Sequence, residues 1–94
     1  MITVRPITAN NLVWIIEVLS PSMARQDRFE KFLSYKQLPG LQEYLLLEQE
    51  YREATLFRRR NGWQSEAYRE GMFHLDSVNL DMSLDALYRR VQFV

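Results

Sequence analysis

Apolar and polar positions along the chain fall into short blocks, each bounded by turn chemistry. Leu12 to Leu19, LVWIIEVL, is a continuous apolar run broken by one carboxylate, and its β-branched and aromatic content predicts a buried strand. Ser20-Pro21-Ser22 follows as turn and cap, with Ser20 or Ser22 as N-cap of a helix from about Met23 to Lys36. Met23, Phe29, Phe32 and Leu33 give that helix an apolar stripe. Gln37-Leu38-Pro39-Gly40 should end it, since proline cannot continue the ladder and glycine permits a left-handed exit. A second strand is expected over Glu43 to Leu47, a polar turn over 48–52, and a third strand over Glu53 to Arg59. Asn61-Gly62 is a strong signal for a two-residue type I′ hairpin, with Trp63 to Arg69 pairing back antiparallel. Met72 to Leu75 reads as a further short strand after Gly71. Ser83 to Val91 reads as a terminal helix carrying Leu84, Leu87, Tyr88 and Val91 on one face.

This order predicts an α/β or α+β fold, a mixed sheet flanked by helices in one domain, with the first strand, helix and second strand forming a parallel crossover. The first strand has no evident partner on its other side, so a preceding strand or another chain is expected to cover that edge.

Composition narrows the chemistry. The chain has 94 residues, 12 basic and 12 acidic side chains, one histidine and no cysteine. Disulfides, thiolate metal sites and cysteine nucleophiles are therefore excluded. Zero formal charge gives no global attraction to nucleic acid, so any such contact must be local. The absence of a long apolar run or a secretory leader pattern points to no membrane association and a cytoplasmic location.

Glu17 stands out, because an unpaired carboxylate among Trp14, Ile15, Ile16, Val18 and Leu19 would cost several kcal/mol. It either holds a divalent cation or points to solvent or an arginine. Asp27, Lys31 and Tyr35 recur every four residues along one helix face. That spacing allows an ordinary salt bridge, or it lets Lys31 reach toward Glu17 and stabilise charge on a phosphoryl group. Arg58-Arg59-Arg60 reads as a solvated hairpin tip, or as a contact to a DNA backbone. His74 lacks a partner at metal-ligand spacing.

Taken in order, IIEVLSPS, DRFEKFLSY and LPGLQEYLLL resemble the Uma-two family of restriction endonuclease-like proteins. The likeness runs from about Ile7 to Phe93 and is densest over Ile15 to Leu47. The resemblance implies a PD-(D/E)XK nuclease fold that hydrolyses phosphodiester bonds of DNA with Mg²⁺. It makes Glu17 the acidic residue of the (D/E)XK element and gives the Val18 backbone carbonyl to the metal. The lysine expected two places on is replaced by Leu19, and the resemblance assigns its role to Lys31, supported by Asp27 and Tyr35. The family's upstream Pro-Asp strand and preceding helix have no counterpart here; Arg5-Pro6-Ile7 carries no aspartate. The fold is thus expected to be the carboxy-terminal part of such a nuclease, weak or inactive alone. A homodimer or a second chain would have to supply the missing strand and acid. The competing expectation is a non-catalytic module that binds another protein through an open sheet edge.

Overall fold

A computed structural model describes residues 2–4, 14–19 and 25–89, with side chains over 14–19 and 28–89. Among these residues, seven strands and two α-helices follow in the order β1 (Ile2–Val4), β2 (Trp14–Val18), α1 (Arg25–Lys36), β3 (Glu43–Leu47), β4 (Ala54–Arg58), β5 (Ser65–Tyr68), β6 (Met72–Leu75), β7 (Leu80–Ser83) and α2 (Leu84–Leu87). The first five form one mixed sheet in the order β1-β2-β3-β4-β5, and β6 and β7 form a separate hairpin. Only β2 and β3 are parallel, joined through α1; the remaining pairs are antiparallel. The α+β class and the parallel crossover are as the sequence predicts.

Central β3 explains its own composition. Four of its five residues are buried because layers cover both faces, which is why EYLLL shows no polar alternation. On one face Ile15, Tyr44, Leu46 and Phe57 pack against Phe32, Tyr35 and Leu38 of α1 and its exit. On the other, Leu45, Leu47, Ala54 and Leu56 pack against Phe73 and Leu75 of β6, Leu84 of α2 and Tyr88.

Several expectations need correction. The edge of β2 is covered by a preceding strand, one of the two covers expected, but within residues where no strand was expected: Ile2–Val4 pairs with it in the register Ile2↔Val18 to Val4↔Ile16. So short a segment carries too little periodicity to read as a strand before its partner is known. The link from β4 to β5 is not a two-residue type I′ turn. It runs through a 3-10 turn at Arg59–Asn61, followed by positive φ at Gly62 and Trp63. Tertiary contacts select this longer loop: the Arg59 guanidinium lies 5.0 Å from the Trp63 ring while its Nε and Nη2 donate to the Leu41 and Leu38 carbonyls, both at 2.7 Å. Arg59 thereby closes the exit of α1, and Gly40 is not needed in a left-handed conformation.

A fourth difference is β7, which the sequence reading passed over. It pairs with β6 across a tight turn at 76–79, with Asn79 at positive φ. Asparagine tolerates that conformation through local side-chain bonding. Helix α2 is a single turn, started by Ser83, whose Oγ accepts from Ala86 N. Val91, expected on the same helix, lies outside the described residues, as do 12–13 of the first strand and 23–24 of the helix.

The hairpin layer is fastened to the sheet by a buried charge cluster. Glu43 and Arg58 are cross-strand partners, 3.0 Å apart from Nη1 to Oε2, and their side chains are 3% and 5% exposed. Glu43 also accepts from Asp76 N and Ser77 N, so it caps the 76–79 turn. Arg58 further reaches Glu66, Asp76 and the His74 carbonyl. Removing one member of a buried ion pair strands the other charge, so Arg58→Ala is expected to lower stability by about 3–5 kcal/mol. Urea denaturation tests this; a loss under ~1 kcal/mol would show that the cluster does not hold the layers together.

Candidate functional site

Glu17 follows Ile15 on the α1 face of β2, because side chains alternate along a strand. It is completely buried. Among the described residues no arginine pairs with it, and it does not reach solvent. Instead the Tyr35 hydroxyl donates a short hydrogen bond to Oε1, and the Tyr44 hydroxyl donates to Oε2 at 3.3 Å. The two tyrosine rings meet edge to face, 5.1 Å apart. One carboxylate thus ties β2, α1 and β3 together. Burial, and then the Glu17 charge, push the Tyr44 phenol far above its ordinary range, so it remains a donor at any physiological pH.

Lys31 lies one turn before Tyr35 on the same stripe of α1. Since α1 joins two parallel strands it runs back along them, and Lys31 sits nearer the carboxyl ends of β2 and β3 than Tyr35 does. Its ammonium makes no ion pair among the described residues. The side chain of Asp27 lies outside the described residues. Val18 ends β2, opposite Ile2 and Leu47, with its own side chain in the other core layer.

The arginine run does not form a solvated tip as a unit. Arg58 is enclosed in the charge cluster on the face away from Glu17, and Arg59 is occupied with the exit carbonyls of α1. Arg60 remains exposed, paired with Asp76 at 2.5 Å. With Gln42, Glu43, Arg58, Asp76 and Ser77 it lines a cavity of about 240 Å³. His74 pairs through Nδ1 with Asp81 at 2.7 Å on the exposed hairpin.

Mg²⁺ takes oxygen ligands and is often held by one or two carboxylates together with phosphate and water. Glu17 supplies a donor of that kind, and each of its oxygens has acceptor capacity beyond the phenol it already engages. Among the described residues, no cluster of three or more acidic or histidine side chains completes a site around it. The fit is one ligand of a larger set.

Two residues escaped the sequence reading. Tyr44 could be placed beside Glu17 only once the parallel register, Ile15↔Tyr44, was known. Glu43 opens a strand, a position usually at liberty to face solvent; its burial follows from the hairpin layer above it.

The fold of the described residues recurs in a solved structure. The crystal structure of a "putative nuclease belonging to DUF820" from Anabaena variabilis superposes with a TM-score of 0.67 at 21% identity, covering 84% of this chain and 45% of that one. The sequence profile of the Uma2 family, "Putative restriction endonuclease", matches residues 5–87, and the chain belongs to that family. The uncharacterized protein slr1290 of Synechocystis is 34% identical over 82 residues, which cover 84% of this chain and 43% of that protein. The chain thus spans less than half the length of either relative. None of the helices among the described residues is long and apolar enough to cross a membrane.

Tyr44→Phe deletes one donor to the buried carboxylate and is expected to cost about 1–3 kcal/mol at neutral pH, read by urea denaturation. Its pH dependence has a definite sign. A phenol whose pKa is raised on folding contributes stability that is complete below the ordinary tyrosine range near ~10 and is lost as pH climbs above it. The alkaline loss of stability should therefore be shallower in Tyr44→Phe; an unchanged alkaline limb would mean the phenol does not engage Glu17.

Proposed function

We propose that this chain carries the carboxylate-bearing part of a metal-dependent DNA nuclease that hydrolyses phosphodiester bonds. The supporting observation is the position of Glu17. Within a chain of the Uma2 family, it is a fully buried acid on the parallel pair, fixed by Tyr35, with Lys31 one helical turn along the same stripe. Open α/β sheets bind ligands beyond the carboxyl ends of their strands, and Glu17 is the next-to-last residue of β2.

In this reading Tyr35 and Tyr44 hold the carboxylate in one orientation before substrate arrives, so no reorganisation is needed during reaction. Lys31 places a cation toward the carboxyl end of β2, where it offsets negative charge growing on the phosphoryl oxygens. Asp27, one turn before Lys31, supports that ammonium. Glu17, with the neighbouring Val18 carbonyl, would be a ligand of Mg²⁺, which when bound polarises the phosphate and acidifies its water. A second acidic group would come from the remainder of a longer protein or from another copy of the chain, which accords with its spanning less than half of its relatives. Alone, the chain should hydrolyse DNA weakly or not at all.

The decisive measurement is calorimetric titration with Mg²⁺ and Mn²⁺, comparing the chain with Glu17→Ala at matched ionic strength. Saturable binding that disappears in the variant is expected. Identical heats for both would remove Glu17 from any metal role. Where cleavage is reconstituted with a segment that supplies the second acid, Lys31→Ala should retain metal binding and lose about 10²–10³-fold in rate, the range seen when one transition-state donor is removed.

A further inference from the structure

The carboxyl ends of the parallel pair hold a second carboxylate on the face of Glu17. Glu48 directly follows β3 and stays within the sheet: Leu19 N donates to the Leu47 carbonyl and Glu48 N to the Glu53 carbonyl, so both ladders run one residue past the strands. In the parallel register Glu17 stands opposite Leu46. Side chains alternate along a strand, so Glu48, two residues beyond Leu46, returns to the α1 face. It is the diagonal neighbour of Glu17, with about 8 Å between Cα atoms from strand spacing and rise. Long side chains meet across such a diagonal.

Helix α1 spans the two acids. Tyr35 holds Glu17, and Arg28, two turns earlier on the same stripe, reaches Glu48 with Nη1 3.4 Å from Oε1. Lys31 stands between those two contacts and makes no ion pair with either acid. The Arg28 contact is long beside the ~2.7–2.9 Å of a strong charged hydrogen bond, so Glu48 is not spent on it. Across the β3–β4 ladder Glu48 faces another acid, Glu53, and like charges opposed on neighbouring strands repel. Glu53 is drawn toward Arg69, 3.7 Å away on the side far from Glu17.

The acids differ in access. Glu17 is fully enclosed, whereas the Glu48 side chain is 16% exposed. An enclosed carboxylate has no surface of its own to offer a hydrated ion, and an acid beside it at the rim supplies the first oxygen. Mg²⁺ sites commonly use one or two carboxylates, with water and phosphate completing the shell.

We propose that Glu48 is a metal-binding residue of the Glu17 site, taking hold of the divalent cation at the rim, sharing it with Glu17 and releasing Arg28. The proposal rests on the nuclease reading for the identity of the ion. It gives that site an acid from within this chain, beside any that a longer protein or another copy contributes.

The test is calorimetric titration of the whole chain with Mn²⁺, together with melting temperatures in Mn²⁺ and in EDTA. Glu48→Gln should weaken binding by about 10–100-fold, at least the effect of removing an outer-shell partner of a metal. It should also remove most of the rise in melting temperature that Mn²⁺ gives the wild type, because that rise follows affinity. The double variant with Glu17→Ala should bind no more weakly than the weaker single variant, since one shared ion is lost once. Arg28→Gln should tighten binding by freeing Glu48 from its competitor, and Glu53→Gln should leave it unchanged. A purely structural Arg28–Glu48 pair predicts otherwise: both variants would melt lower in EDTA by the same amount and bind Mn²⁺ as the wild type does.

Mn²⁺ binding that needs Glu17 but not Glu48 overturns the proposal and leaves the nuclease reading standing. Equal losses in Glu48→Gln and Glu53→Gln reveal general attraction to negative charge and overturn it as well. A wild-type chain without saturable binding overturns both the proposal and the metal role of Glu17.

Discussion

A buried carboxylate on the parallel pair of this sheet, with no cationic side chain against it among the described residues, is tolerated only if its oxygens are hydrogen-bonded, and Glu17 meets that condition through Tyr35 and Tyr44. The demand propagates outward. To deliver the Tyr35 hydroxyl, α1 must lie over β2 in one rotational setting, which fixes the stripe containing Arg28 and Lys31. To deliver the Tyr44 hydroxyl, β3 must hold its parallel register with β2, in which Ile15 stands opposite Tyr44. A slip of one residue would send Tyr44 to the opposite face and leave the carboxylate unsatisfied.

The opposite face has a matching arrangement built with charge instead of phenols. Glu43 and Arg58 are opposite each other on neighbouring strands, and the Glu43 carboxylate also caps the turn of the β6–β7 hairpin. Without that cap the Asp76 and Ser77 amides would face the core edge unbonded, and of the polar ties described between sheet and hairpin only those of Arg58 and Arg60 to Asp76 and of Arg58 to the His74 carbonyl would remain. The two faces therefore divide their labour. One fastens the hairpin layer by ion pairs that satisfy one another; the other keeps a carboxylate with acceptor capacity to spare and a lysine with no ion pair among the described residues. Chemistry is more readily assigned to the second face, because its polar groups are not all spent on one another.

The relatives bring a consistent picture of scale. The match spans less than half of each relative, so the sheet and its crossover helix correspond to a portion of those proteins, and the solved neighbour shares the fold over that portion. Within that shared portion the buried acid is satisfied by two phenols, and Tyr44 stays a neutral donor across the physiological range.

What the chain determines by itself is local. Periodicity placed β2, β3, β4, β5, β6 and most of α1 within a residue or two, because alternation and turn residues act over spans of a few positions. The order IIEVLSPS, DRFEKFLSY and LPGLQEYLLL was enough to point to the Uma2 family, since that string links side-chain identity to spacing. The anomaly of Glu17 was also legible, since a carboxylate inside an apolar run needs a partner whatever the fold. Which partner it takes was not, because Tyr44 is 27 residues away and becomes a neighbour only through the parallel register. The fate of Arg58 and Arg59 was hidden for the same reason: three consecutive arginines look alike in sequence, and strand pairing, a helix exit and a hairpin layer separate them. Tertiary structure alone decided these points because burial, which sets the cost of every charge here, is a property of the folded layers and not of any segment within them.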